Sequence, residues 1–171
     1  MDKFSKLALS SLLIFCTGAF AFNVDGIGTG ITTSDLVAIG QRRGLEVKET
    51  FSGNWAMGKF SEHRIDGMFT FCRGGLISFN RSIDFDADYV PFLNRTIAKC
   101  GAPKVRTEAL EVGGAPGQTV PRVEIVWYTE NDRITLSFNP EMRDGTGGLH
   151  FNRGASVDYL TKSACRPPAS W

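Results

Sequence analysis

The sequence predicts an exported α+β protein in which helices pack on one face of an antiparallel sheet. Three observations predict it. The chain opens with a cleavable leader. Two pairs of segments alternate apolar and polar residues with the period of a strand, and segments of helical spacing sit before or after them.

The leader spans residues 1–21. Lys3 and Lys6 give a positive start, residues 7–15 are an apolar run, and Ala19-Phe20-Ala21 is the small-x-small pattern of a signal peptidase site. The cut falls before Phe22. The apolar run is too short for a permanent membrane span. Cys16 is no lipid-attachment cysteine, because Phe15 stands where such signals need a small residue. The expected mature chain, residues 22–171, is a single domain in the periplasm or outside the cell. Its composition is globular, 42% hydrophobic with 13 phenylalanines. A net charge of +1 with mixed signs argues against nucleic-acid or membrane-surface binding driven by bulk charge.

From Phe22 to Ile31 the chain is glycine-rich and reads as an extended lead-in. Gly26-x-Gly28-x-Gly30 has no strand before it, which removes the context a dinucleotide-binding loop requires. Thr32 or Thr33 then caps a helix with Asp35 in its first turn, Leu36, Ile39 and Gly40 facing inward, and Gly44 as its stop. Residues 45–51 alternate as a strand. Residues 52–66 are polar and read as an irregular strand around Trp55 and Phe60. Residues 68–72 and 76–81 form a hairpin across Gly74-Gly75, with Phe69, Phe71, Ile77 and Phe79 on one face and Thr70, Cys72, Ser78 and Asn80 on the other.

A second helix starts near Asp86 or Asp88, since Pro91 is tolerated only in a first turn. Tyr89, Leu93, Ile97 and Cys100 form its stripe, and Gly101 and Pro103 end it. Residues 104–112 are a strand and 113–118 a loop. Residues 122–129 and 134–139 make a second hairpin: Val123, Ile125, Trp127, Ile134, Leu136 and Phe138 alternate with Glu124, Val126, Tyr128, Thr135, Ser137 and Asn139. Residues 142–148 read as a loop, 149–152 as a short strand, and 156–165 as a last helix ending in Cys165.

The two halves echo each other. Each reads helix, then three strands, with the last hairpin ending in Ile77-Ser78-Phe79-Asn80 or Leu136-Ser137-Phe138-Asn139. This predicts pseudo-repeats over about 30–82 and 84–140, followed by an extension over 141–171. Gly30-Ile31-Thr32 before a helix, Cys100-Gly101-Ala102-Pro103 at a helix end, and Glu124-Ile125-Val126-Trp127-Tyr128 before Leu136-Ser137-Phe138-Asn139 carry a resemblance. Together they resemble small periplasmic modules of the SmpA/OmlA kind, and the tandem β-lactamase-inhibitor proteins built from two such modules. The resemblance covers most of the mature chain. It implies a non-enzymatic binding module with an exposed concave sheet, and carries over no binding residue.

Three cysteines follow the leader, which in an oxidising compartment suggests one bridge and one thiol. Cys100 lies on the inward side of the second helix and Cys165 ends the third, while Cys72 projects from the opposite face of the sheet. The expected bridge is Cys100–Cys165, with Cys72 free. A Cys72 thiol with His150 as its base is the least favoured functional reading, because reactive cysteines need an electropositive setting and Cys72 has only Arg73 beside it. Asp84, Asp86 and Asp88 lack the glycine and the glutamate of a calcium loop. The sequence shows no metal-ligand, cofactor or hydrolase motif, so catalytic and metal residues are expected to be none. The candidate binding residues are Tyr128, Thr70, Ser78, Asn80 and Ser137 on the polar sheet face, with Trp55 at its rim; a protein partner is expected, with no nucleic acid and no membrane insertion. Tyr128 would serve as anchor. The alternative is a small-molecule or glycan site lined by Trp55, Phe60 or Tyr128.

Overall fold

A computed structural model describes residues 22–111, 119–140, 142–143, 149–151, 154–163 and 165. The leader expected over residues 1–21, the loop expected over 113–118 and most of that expected over 142–148 lie outside the described residues. Within them, the order is β1 (Asn23–Val24), β2 (Ile27–Gly28), α1 (Thr33–Arg42), β3 (Glu46–Phe51), β4 (Asn54–Lys59), a 3-10 turn (Phe60–Glu62), β5 (Arg64–Cys72) and β6 (Gly75–Ile83). Then come α2 (Tyr89–Cys100), β7 (Lys104–Glu111), β8 (Thr119–Tyr128), β9 (Asp132–Asn139), β10 (Met142–Arg143), β11 (Leu149–Phe151) and β12 (Gly154–Thr161). The fold is α+β: the described residues form an antiparallel sheet of eight strands, ordered β3-β4-β5-β6-β12-β9-β8-β7, with two helices and two small ribbons, β1–β2 and β10–β11.

Local chemistry explains each helix. At α1 the Thr32 hydroxyl accepts from the Asp35 amide while the Asp35 carboxylate accepts from the Thr32 amide, a complete capping box. Leu36, Ile39 and Gly40 are its buried side, as the sequence spacing predicts. Gly40 is a packing requirement, since an added Cβ would fall 2.5 Å from the Val47 side chain on β3. In α2 Pro91 is the third residue, where its missing amide costs nothing. Phe92 and Thr96 are the buried residues of α2, whereas Ile97, assigned inward by spacing, is exposed. The indole Nε1 of Trp127 donates to the Gly101 carbonyl at 3.0 Å, fastening the end of α2 to β8.

One face of the sheet meets both helices. Leu36, Ile39 and Phe92 share a core with Met57, Phe69, Leu76, Phe79, Ile125, Trp127, Leu136, Val157 and Tyr159. The register places Trp55, Phe69, Phe79, Tyr159, Ile134 and Trp127 side by side across six consecutive strands. Phe69 and Phe79 stack at 4.9 Å, and Phe79 and Tyr159 at 5.9 Å. An irregularity between Thr70 and Phe71 pairs Phe71 with Leu76, so Leu76 rather than Ile77 joins this core. The β5–β6 turn is Arg73-Gly74, both at positive φ, which suits a two-residue hairpin.

The irregular strand expected around Trp55 is β4, whose pairing with β5 shifts register between Met57 and Gly58. Three expectations change. The glycine-rich lead-in is the hairpin β1–β2, turning at Asp25-Gly26. Residues 156–165 are no helix: β12 runs between β6 and β9, hydrogen-bonded on both sides. The helix-plus-three-strand count holds over residues 84–140, where α2 is followed by β7 to β9, but not in the first unit, where α1 is followed by four strands, β3 to β6; β12 comes from the C-terminal extension. The echoing segments 77–80 and 136–139 lie on β6 and β9, which flank β12 on its two sides.

The new place of β12 also corrects the disulfide. Its pairing with β6 runs from Ala155↔Ile83 to Leu160↔Ser78, and continued past Thr161 it brings Cys165 level with Arg73. Cys165 is bonded to Cys72, with 6.2 Å between the Cα atoms, and not to Cys100. Cys72 is therefore no free thiol and no nucleophile, and no cysteine among the described residues is free. A bridge suits an oxidising compartment. No helix among the described residues is long and apolar enough to cross a membrane.

Candidate functional site

The face turned away from the helices is polar, and its rows follow from register. One row reads Asn54, Thr70, Ser78, Leu160, Arg133 and Tyr128, from β4 to β8. The next reads Lys48, Ala56, Met68, Asn80, Asp158, Thr135, Val126 and Lys104, crossing all eight strands. A third reads Ser82, Ser156, Ser137, Glu124 and Arg106. Tyr128, Thr70, Ser78, Asn80 and Ser137 thus share one face. Thr70 and Tyr128 stand four strand spacings apart, about 19 Å.

Trp55 does not belong with them. It pairs with Phe69, packs edge-on against Phe71 at 6.5 Å, and lies against the helix-side core. Phe60 sits in the 3-10 turn, with the Lys48 ammonium 4.4 Å from its ring centroid.

The shared face is unevenly accessible. Ser78 and Ser137 are buried, Ser137 at 1% exposure, so neither can meet a partner directly. Ser137 is already engaged: the Arg122 guanidinium donates to its hydroxyl at 2.8 Å. Arg122 and Arg106 both reach the buried Glu124 carboxylate, at 3.5 and 2.6 Å, and Arg106 also pairs with Glu108 at 3.6 Å. The Glu124 hydrogen bond raises the Arg106 pKa further above its ordinary value. These long side chains lie along the sheet and fix one another, and beside them Tyr128 stays accessible at this corner, as Met68 does toward the other end of the face.

At that corner Tyr128 is 40% exposed, and the Lys104 ammonium lies 5.3 Å from its ring centroid. Lys104, Arg106, Arg122 and Arg133 share the corner with Glu108 and Glu124, so cations exceed carboxylates. Sequence alternation identified Tyr128, but missed Lys104 and the arginines. Their strand-period positions opposite Val126, Glu124, Glu108 and Tyr128 were the available signal.

A second feature lies on the helix side. A cavity of about 540 Å³ is bounded by the N-terminal segment (Phe22, Asn23, Val24, Asp25), by Arg81, by α2 (Phe92, Arg95, Thr96, Lys99, Cys100), and by Ile134 and Tyr159. None of Trp55, Phe60 or Tyr128 lines it. Burial, reinforced by the Asp25 charge, pushes the Tyr159 phenol up to about 12 against the opposing pull of Arg81 and Arg95, so it remains a neutral hydroxyl at physiological pH.

Asp84, Asp86 and Asp88 precede α2, and the Asp84 carboxylate accepts from the Ala87 amide at 2.7 Å, a turn-forming role. No family model, curated protein or solved structure matches this chain.

Proposed function

We propose that this protein is an exported, non-catalytic binding module, free in the periplasm or secreted, that holds a protein partner on the Tyr128 corner of its polar sheet face. The observation that carries the reading is the exposed Tyr128 ring with Lys104 beside it, set on a rigid platform of interlocked arginines and glutamates. An aromatic anchor held by a strand loses little freedom on binding, and the surrounding cations favour a partner that presents carboxylates around an apolar hollow. The resemblance to periplasmic helix-plus-sheet modules and tandem inhibitor proteins supports the same class, an inhibitor of an envelope enzyme or an envelope-assembly factor. The edge strand β7 carries Lys104, Arg106 and Glu108, charges that oppose unspecific strand addition and leave side-chain recognition as the mode of contact.

The test uses the immobilised exported protein and extracts of the envelope and medium. One protein should be retained in stoichiometric amount and lost from both Tyr128→Ala and Lys104→Glu. A Phe51→Ser variant, altered at an exposed aromatic elsewhere, should retain it. Truncating an anchor of this kind costs about 2 kcal/mol or more, a loss of about 30-fold in affinity. Retention unchanged in Tyr128→Ala would overturn the proposal. A second reading, a small-molecule binding protein, is favoured by the helix-side cavity rather than by the residues expected from sequence.

A further inference from the structure

We infer that the cavity between α2 and the N-terminal segment is a binding site for a small organic oxyanion, a carboxylate or phosphate carried on a compact apolar body. Cations from two separate elements converge on it: Arg81 from β6, and Arg95 and Lys99 one turn apart on α2. Asp25 is the only carboxylate among the described lining residues, and its link to Arg81 is loose, at 3.6 Å. The buried Nε of Arg81 has no hydrogen-bond partner among the described residues. Neither Arg95 nor Lys99 forms an ion pair among the described residues. Three like charges around one hollow repel one another, and an oxyanion accepting from guanidinium donors relieves that repulsion while satisfying the idle donors.

The remaining walls suit an apolar body. Phe22, Phe92, Ile134 and Tyr159 line the same space, and the Phe22 and Tyr159 rings lie 5.1 Å apart. The neutral Tyr159 hydroxyl can donate to an anion without contributing a competing charge. A volume of about 540 Å³ suits a small metabolite rather than a peptide. This site lies on the opposite side of the sheet from Tyr128, so it stands or falls independently of the protein-binding proposal.

The experiment titrates the exported protein at low salt with four probes, phenyl phosphate, benzoate, inorganic phosphate and neutral benzyl alcohol, each to about 10 mM, enough to fill a site of about 1 mM affinity. Aromatic ring resonances of Phe22, Phe92 and Tyr159 report binding by NMR. Phenyl phosphate or benzoate should shift them saturably and more tightly than inorganic phosphate or benzyl alcohol. The Arg95→Glu/Lys99→Glu variant, altered at exposed positions of α2 and checked for native circular dichroism, should bind at least ten-fold more weakly. Lys104→Glu should bind as the unaltered protein does. Equal binding of benzyl alcohol would overturn the role of charge, and equal binding of inorganic phosphate that of the apolar walls. Absence of any shift, or unchanged affinity in the double variant, would overturn the site altogether.

Discussion

Removing the Cys72–Cys165 bridge should cost a large part of the protein's stability. The two residues are 93 positions apart, so the bridge closes a loop over more than half of the chain. The chain-entropy relation gives about 4.6 kcal/mol for a loop of that length at room temperature. Domains of this size are stable by about 5–15 kcal/mol, so the loss is a third of the total or more. The bridge also anchors the end of β12, which pairs with a neighbour on each side. Unfolding of a Cys72→Ala/Cys165→Ala variant in urea, followed by tryptophan fluorescence, reads the effect through Trp55 and Trp127. With a slope of about 2 kcal/mol per molar, the midpoint should fall by about 2 M. A double variant whose midpoint matches the unaltered protein would refute the reasoning. So would peptide mapping in which Cys100→Ala, and not Cys72→Ala, releases the Cys165 thiol.

Gly67 lies beneath the stacked aromatic pair: an added Cβ would fall 2.8 Å from a Phe79 ring carbon and 3.0 Å from one of Phe69. Gly67→Ala should therefore lower stability by about 1–3 kcal/mol in thermal or urea unfolding, and an unchanged midpoint would show that the stack yields. The alkaline limit of stability should depend on Tyr159. Its folded pKa is raised to about 12, so the unfolded chain ionises first; stability is complete below pH 10 and is lost as pH rises toward 12, by about 3 kcal/mol at most. Burial raises Tyr89 too, adding in the same direction. Tyr159→Phe should flatten this loss in unfolding curves across that range, and a slope unaltered by the substitution would contradict it. Thr32→Ala removes the hydroxyl of the capping box and should cost about 1 kcal/mol, read by the same urea unfolding, with no cost meaning that solvent replaces the cap.

How much the sequence disclosed depended on whether neighbours were local. The Thr32–Asp35 cap, the Pro91 limit on α2 and the β8–β9 alternation are short-range signals, and each led to the observed element. β12 reads as a helix in the sequence because it is flanked by strands on both sides. Val157 and Tyr159 face the helices, but Leu160 is equally buried on the other face, so apolar residues recur without clean alternation and imitate a helix. That one error carried the disulfide with it, since only register brings Cys165 beside Cys72. Trp55, expected at the rim of the polar face, lies against the helix-side core for a similar reason: its side depends on pairing with Phe69, fourteen residues on, across the 3-10 turn. The polar face was readable from period-2 spacing. Its burial was not, because Arg122 reaching Ser137 is a contact between strands. The cavity left even less trace, with linings drawn from residues 22–25, 81, 92–100, 134 and 159.

The central claim concerns which surface meets the partner, and site-specific photo-crosslinking in living cells tests it most directly. A photoreactive phenylalanine analogue is placed at Tyr128, or at Phe51 or Ile65, which are exposed away from the polar corner. Irradiation should give one discrete adduct with an exported or envelope protein from position 128 and none from 51 or 65. Adducts from 51 or 65 with silence at 128 would contradict the account.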